Sequence, residues 1–232
     1  MKLLHLYYDL MDLYGEYGNV VVLKRHLEDQ GLEVELDKKT VGDDITFSDY
    51  DFIYCGSGTE ANELLVMEDL LKRKDDFLRA VNDDKVILFT GGAMELLGKN
   101  IDGREALGLV DIETVFTDRR YTGDVIVENE DTGEVVGFIN KCSLIKEKEE
   151  DALFRYIFRQ NEIEDNPYEG YRYRNVFGTH IIGPILVKNP GFMKLIIRLL
   201  GGKDLEYKEI SYPYEEDSYK VTLNALKERK SR

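Results

Sequence analysis

Apolar and polar positions follow two different grammars along this chain. Leu3 to Tyr7 is a short apolar run without helical period, and Tyr14-Gly15-Glu16-Tyr17-Gly18-Asn19 is polar and glycine-punctuated, which predicts a strand and then a loop. Val20, Leu23 and Leu27 fall at helical spacing before Gly31, a helix stop. Leu32 to Leu36 alternates like a half-buried strand, and Asp51 to Cys55 repeats the strand signal. Asn62 to Val81 carries helical periodicity in Leu64, Met67, Leu71, Leu78 and Val81. Val86 to Phe89 is uninterruptedly apolar, as a strand covered on both faces would be, and Ala93 to Leu97 predicts a helix after it.

Strand and helix thus alternate over the first hundred residues, which predicts an α/β fold: a mostly parallel central sheet with helices on both faces. From Gly108 the pattern changes to short strands, Asp111 to Phe116, Asp124 to Val127 and Val135 to Ile139, with turn signals such as Asp131-Thr132-Gly133. These predict an antiparallel extension. Glu147 to Asp165 is acidic, with an amphipathic piece around Leu153, Tyr156 and Ile157. A strand near Val176 precedes a helix from Asn189-Pro190 through Leu199, which Gly201-Gly202 ends. Pro213 to Arg232 reads as a terminal helix with an apolar stripe of Tyr219, Leu223 and Leu226. The expected organisation is one main domain over residues 1–203 and a C-terminal segment, 204–232, bearing that helix.

Composition narrows the function classes. The chain has 232 residues and a formal net charge of −15, so the bulk of its surface repels nucleic acid. Two cysteines and three histidines are too few for a disulfide framework or a clustered metal site, so no cofactor is expected. Asp9 and Asp12 interrupt the N-terminal apolar residues before a membrane span of roughly 20 residues could form, so no membrane insertion and a cytoplasmic address are expected.

Two glycine-rich turns carry candidate chemistry. Gly56-Ser57-Gly58-Thr59-Glu60-Ala61 fits the dinucleotide fingerprint, an anion-binding helix start, or simply a tight turn. The fingerprint belongs in a domain's first strand-helix unit, which this is not. Thr90-Gly91-Gly92, between an apolar strand and a helix, has the form of a nucleophile elbow, where one side chain is presented at a sharp turn and N–H groups stabilise an oxyanion. The same residues fit a tight turn capped by Thr90. A threonine hydroxyl attacks poorly without a base, whereas a thiol ionises near neutral pH. His180, in Gly178-Thr179-His180-Ile181-Ile182-Gly183-Pro184, stands near a strand end and is the candidate partner; His5 and His26 read as surface or packing residues. Cys55 reads as a buried apolar residue, and Lys141 beside Cys142 would lower that thiol's pKa.

Four segments, Leu6 to Asn19, Phe52 to Gly58, Leu88 to Gly98 and Gly170 to Pro190, together resemble the class I glutamine amidotransferase domain of the cobyric acid synthase (CobB/CobQ) type, nearest the glutaminase subunits of the lipid II isoglutaminyl synthases. The resemblance implies a flavodoxin-like α/β fold and a cytoplasmic role in peptidoglycan-precursor amidation. It also implies a small amide such as glutamine as the compound bound, at Gly56, Gly91 and Gly92, and a heterodimer with a Mur ligase-like, ATP-dependent synthetase. In that family an elbow Cys attacks the glutamine amide and a His is its base. Here the elbow reads Thr90-Gly91-Gly92, Ile182 takes the base position, His180 replaces a tyrosine, and the family's Glu-Asn-His appears as Ile139-Asn140-Lys141.

The leading expectation is therefore a non-hydrolysing, amidotransferase-like pseudoenzyme acting through a partner. Two alternatives stand beside it: an amidase or acyl transferase using Thr90 with His180, and an anion or nucleotide sensor at Gly56 to Ala61. On an extended segment His180 lies about 6 to 7 Å along the strand from the base position, so the dyad needs a shifted backbone to reach the roughly 3 Å contact a base requires.

Overall fold

The computed structural model describes residues 1–145, 151–160 and 166–231. In chain order its main elements are β1 (Lys2–Leu6), α1 (Gly18–Asp29), β2 (Glu35–Lys39), β3 (Phe52–Cys55), α2 (Glu60–Leu71), α3 (Lys74–Asn82), β4 (Val86–Thr90), β5 (Asn100–Ile101), β6 (Arg104–Glu105), β7 (Glu113–Asn129), β8 (Gly133–Leu144), β9 (Ala152–Arg159), β10 (Tyr168–Tyr173), β11 (Val176–Thr179), β12 (Ile181–Ile182), α4 (Ile185–Lys188), α5 (Pro190–Gly201) and α6 (Pro213–Lys230).

β2, β1, β3, β4 and β11 lie side by side, every pair parallel. β4 is buried along its whole length, as its apolar run predicts. Because strand side chains alternate, Ile87 and Phe89 pack with Val66, Met67 and Phe77 of α2 and α3, while Val86 and Leu88 pack with Leu23 of α1 and Phe192 and Ile196 of α5. The helices on both faces are thus a direct consequence of β4's two apolar sides.

Beyond β11 the sheet turns antiparallel through β10, β9, β7 and β8, and β12 pairs with β8. One residue separates β11 from β12, so a single segment, Val176 to Ile182, supplies a strand at each end of this extension. The extension therefore closes on itself, with His180 at the pivot.

Several expectations shift. The predicted helix Asn62 to Val81 is two helices that break at Lys72 and Arg73, where the Arg73 guanidinium turns back to bond Asp69 and the Asp43 carbonyl. β2 begins three residues later than Leu32, because pairing with β1 starts where Lys2 meets Glu35 and an edge strand's ends follow its partner. Asp111 to Phe116 and Asp124 to Val127 fall largely on one long strand, β7, whose register slips between Phe116 and Tyr121. The segment after β4, Gly91–Leu97, is a 3-10 helix, its two opening glycines being weak α-helix formers. The amphipathic piece around Leu153 is strand β9; the rest of that acidic stretch at 147–150 and 161–165 lies outside the described residues. In the C-terminal segment the stripe of α6 is used: Leu223 and Leu226 are buried against Ile126 and Val136 of the extension.

Candidate active site

The carboxyl ends of β3 and β4 meet the loop between β1 and α1 at a buried polar network. Thr90 shares the parity of Val86 and Leu88, so its side chain points toward the α1 layer and away from the turn that follows. Its hydroxyl donates to the Glu16 carboxylate and lies 2.8 Å from the Tyr54 hydroxyl, which also donates to Glu16 at 2.8 Å. The second Glu16 oxygen accepts the Gly183 N–H at 2.7 Å. Asn19 donates to Tyr54 at 2.9 Å and accepts the Leu186 N–H at 2.8 Å. Burial raises Glu16 above the ordinary carboxylate range, against the hydrogen bonds from Thr90, Tyr54 and Gly183 that lower it. Thr90 is fully buried, and this network takes up its hydroxyl.

The tip of the turn is Gly91. It has φ +60°, the left-handed conformation that would strain any residue with a side chain and that glycine adopts freely, whereas Thr90 is extended at φ −118° and ψ 154°. This corrects the sequence expectation by one residue: the presenting position belongs to Gly91, which has no side chain to present. A Cβ on Gly91 would lie 2.5 Å from Ser57 Cβ, closer still to the Ser57 hydroxyl, and 3.0 Å from Ile182 Cγ2. Ser57 thus fills the place of an elbow side chain, and Ile182 flanks it where the resemblance puts the base.

His180 is engaged elsewhere. Its Nε2 is 3.0 Å from Glu95 Oε1, its backbone N–H donates to Glu169 at 2.7 Å, and Thr179 donates to the other Glu169 oxygen at 2.7 Å. Burial, with the nearby positive charge of Lys141, lowers the His180 pKa to about 4, so the contact with Glu95 is a hydrogen bond from a neutral ring and not an ion pair. Burial raises Glu169 to about 7, opposed by its bonds to Thr179 and His180. Thr90 and His180 share no hydrogen bond; each is held by its own carboxylate.

A cavity of about 200 Å³ opens over Gly92, with Ser57, Glu63, Glu95, Arg120 and Lys141 in its wall. Glu63 and Glu95 are almost fully buried, and a Cβ on Gly92 would stand 2.5 Å from Glu63 Oε2. Burial first, then the neighbouring Glu95, holds Glu63 well above the ordinary range. Arg120 spans Glu60 and Asn140, each at 2.9 Å. Of the glycines expected to bind substrate, Gly92 lines this cavity. Gly56 lies off it, under the Met11 carbonyl and 3.1 Å from the Tyr54 hydroxyl measured from an added Cβ. That close approach accounts for Gly56, and the first turn of α2 carries the charged Glu60, which disfavours an anion there.

Cys55 is buried and its pKa raised by that burial, as a packing residue. Cys142 is raised too, by burial and by Glu60, so Lys141 does not activate it. His5 is buried; His26 is also buried, bonded to Glu215 at 3.2 Å and stacked on Tyr212 at 3.8 Å, which ties α6 to α1. Glu16, Glu63, Glu95 and Glu169 escaped the sequence reading. The available signal was a charged residue inside an apolar run, as Glu95 is within Ala93 to Leu97. Among the described residues no cluster of three or more His, Cys, Asp or Glu has metal-site geometry, and no helix is long and apolar enough to cross a membrane.

Residues 2–190 of this parallel-sheet chain match the CobB/CobQ-like glutamine amidotransferase domain: the chain belongs to that family. It is 30% identical over 199 residues to the glutamine-hydrolysing subunit GatD of lipid II isoglutaminyl synthase from Streptococcus pneumoniae, covering 82% of this chain and 76% of the relative. The same subunit from Staphylococcus aureus is 28% identical over 241 residues, 100% of this chain and 99% of the relative. Among solved structures, a glutamine amidotransferase from Thermotoga maritima superposes with a TM-score of 0.56 at 13% identity, over 99% of this chain and 97% of that one. The Thermotoga maritima PurLQS structure gives 0.53 at 16%, over 96% and 98%. The fold is therefore that of glutamine amidotransferases.

Proposed function

We propose that this chain is a non-hydrolysing glutamine amidotransferase-like subunit, acting in the cytoplasm as one half of a heterodimer with an ATP-dependent, Mur ligase-like synthetase. The process favoured by its relatives' names is amidation of a peptidoglycan precursor. One observation carries the reading: the elbow tip is Gly91, with Ser57 packed where a nucleophile would project and Ile182 beside it.

Covalent attack needs a nucleophile within contact of both the amide carbon and a base. At the tip Gly91 has no nucleophile to present, and the Ser57 hydroxyl that fills its space has Ile182, not a base, beside it. Thr90 faces the opposite way, into Glu16 and Tyr54, and a hydroxyl already donated to a buried carboxylate is a poor attacking group. His180 reaches Glu95 and Glu169. The amidotransferase fold is retained, which suits a binding role.

Incubation with a glutamine-like diazoketone followed by intact-mass spectrometry should leave the chain unmodified; a label on Thr90 would overturn the inactive reading. Mixed with a Mur ligase-like synthetase from the same cell, the chain should co-elute with it in size exclusion, and separate elution at every concentration would overturn the partner reading.

A further inference from the structure

We propose that the free edge of β2 is a self-association surface: two copies of this chain pair their β2 strands antiparallel about a two-fold axis at Asp37, joining their sheets. The inference goes beyond the partner-binding reading and does not depend on it, because it concerns the pure chain.

β2 ends the sheet, with β1 on one side and, among the described residues, no strand on the other. The Glu35 N–H donates to the Met1 carbonyl, and the Lys39 carbonyl accepts from the Tyr7 N–H. With a period of two, Glu35, Asp37 and Lys39 therefore direct their backbone groups to β1, and Leu36 and Lys38 direct theirs off the sheet. Nothing in the described chain bonds those outward groups. The open row is bounded at both ends, because the Lys24 ammonium donates to the Val34 carbonyl and the Thr40 N–H donates to the Asp43 carboxylate. Edge strands are commonly blunted by lysines or by a bulge. Here Lys38 lies back over the Tyr8 ring, its Nζ 5.4 Å from the centroid, and β2 follows β1 residue for residue without a slip.

That pattern selects one register. In an antiparallel pair, directly opposite residues exchange both N–H···O bonds, and only setting Leu36 against Lys38 of the second copy, on both sides of the axis, uses every free group and no occupied one. A slide one way sets Lys38 against Val34, whose carbonyl is taken; a slide the other way sets Leu36 against Thr40, whose N–H is taken. The same register is self-complementary in charge, which makes a second copy the occupant. Glu35 faces Lys39 on each side of the axis, in the closely spaced pairs that exchange no backbone bonds. The charged residues of the strand, Glu35, Asp37, Lys38 and Lys39, sum to zero, so this strip is neutral on a chain whose net charge of −15 otherwise repels its copy. The opposing contact is Asp37 against Asp37, where the Tyr50 hydroxyl already donates to each carboxylate at 3.1 Å.

The test is sedimentation equilibrium of the pure full chain from about 10 μM to about 1 mM at constant ionic strength, with amide hydrogen exchange alongside. The average mass should rise toward that of two chains. The Leu36 and Lys38 amides should gain protection with concentration, while those of Glu35, Asp37 and Lys39 stay protected by β1 throughout. Lys38→Pro removes an outward donor that β1 does not use, so it should keep the fold and abolish association over this range. Glu35→Lys sets like charges opposite each other on both sides of the axis and should weaken the dimer by about tenfold or more; adding Lys39→Glu should restore it. Asp37→Asn, which keeps an acceptor for Tyr50, should tighten it. If Lys38→Pro does not fold, the charge series decides. A single-chain mass at every concentration, unchanged association in a folded Lys38→Pro, no weakening in Glu35→Lys, or a weakening that Lys39→Glu does not restore would overturn the proposal. None of these outcomes bears on synthetase docking.

Discussion

Replacing Gly91 by Cys puts a thiol at the elbow tip, and the structure says how badly it fits. Two costs add. The position has φ +60°, where a residue with a Cβ loses about 1–2 kcal/mol. The new Cβ then meets Ser57 Cβ at 2.5 Å, and relieving an overpacked contact of that kind costs about 1–3 kcal/mol. Gly91→Cys alone should therefore destabilise the chain by about 2–5 kcal/mol. Ser57→Gly removes the obstructing atoms, so the double variant should recover the packing part and keep the backbone part, a favourable coupling of about 1–3 kcal/mol in a double-mutant cycle. Equilibrium urea denaturation of the four proteins, with midpoint and slope reported separately, measures it. A Gly91→Cys protein as stable as the parent, or strict additivity of the two changes, would refute the placement of Gly91 at the tip and of Ser57 in the nucleophile's space.

Three further outcomes follow from the buried network and the terminal helix. Thr90→Val keeps shape and removes a donor to Glu16, so it should cost about 1–3 kcal/mol by urea denaturation; an unchanged midpoint would show that the Thr90 to Glu16 bond is not formed. Glu169 titrates near 7 in the fold against an ordinary 4.5, so its contribution is fully present below 4.5 and is lost as pH rises through about 7, on the order of 3 kcal/mol. His5 and His180, both lowered to about 4, titrate with opposite sign in an overlapping range. The clean readout is therefore the stability difference between the parent and Glu169→Gln across that window; a pH-independent difference would contradict the shift. Leu226→Ala should cost about 2 kcal/mol and speed hydrogen exchange throughout α6, whereas unchanged exchange would mean that the helix does not lean on Ile126 and Val136.

Hydrophobic pattern carried far into the architecture and stopped at the site. β4 was legible because the four apolar residues Val86 to Phe89 run uninterrupted, and α5 because Pro190 and Gly201-Gly202 punctuate its ends. The break at Arg73 was not, since it depends on a guanidinium reaching residues 30 positions away. Nor was the closure of the extension, because β12 is two residues long and pairs with β8 more than 40 positions earlier. At the elbow the run Thr90-Gly91-Gly92 was visible in the sequence, but not which of its residues the turn presents. Thr90 has the reactive side chain, but strand parity turns it inward, and only the backbone angle of Gly91 shows which residue is presented. The buried glutamates were hidden for the same reason: a carboxylate becomes notable only when its surroundings are dry.

The central claim, a chain that keeps the amidotransferase scaffold without the hydrolytic step, is tested most directly by ammonia release from glutamine, measured with the pure protein and again with its synthetase partner present. Release is expected to be no faster than from buffer in the first case and no faster than from the synthetase alone in the second. Release that scales with this chain and vanishes in a folded Thr90→Ala variant would contradict it.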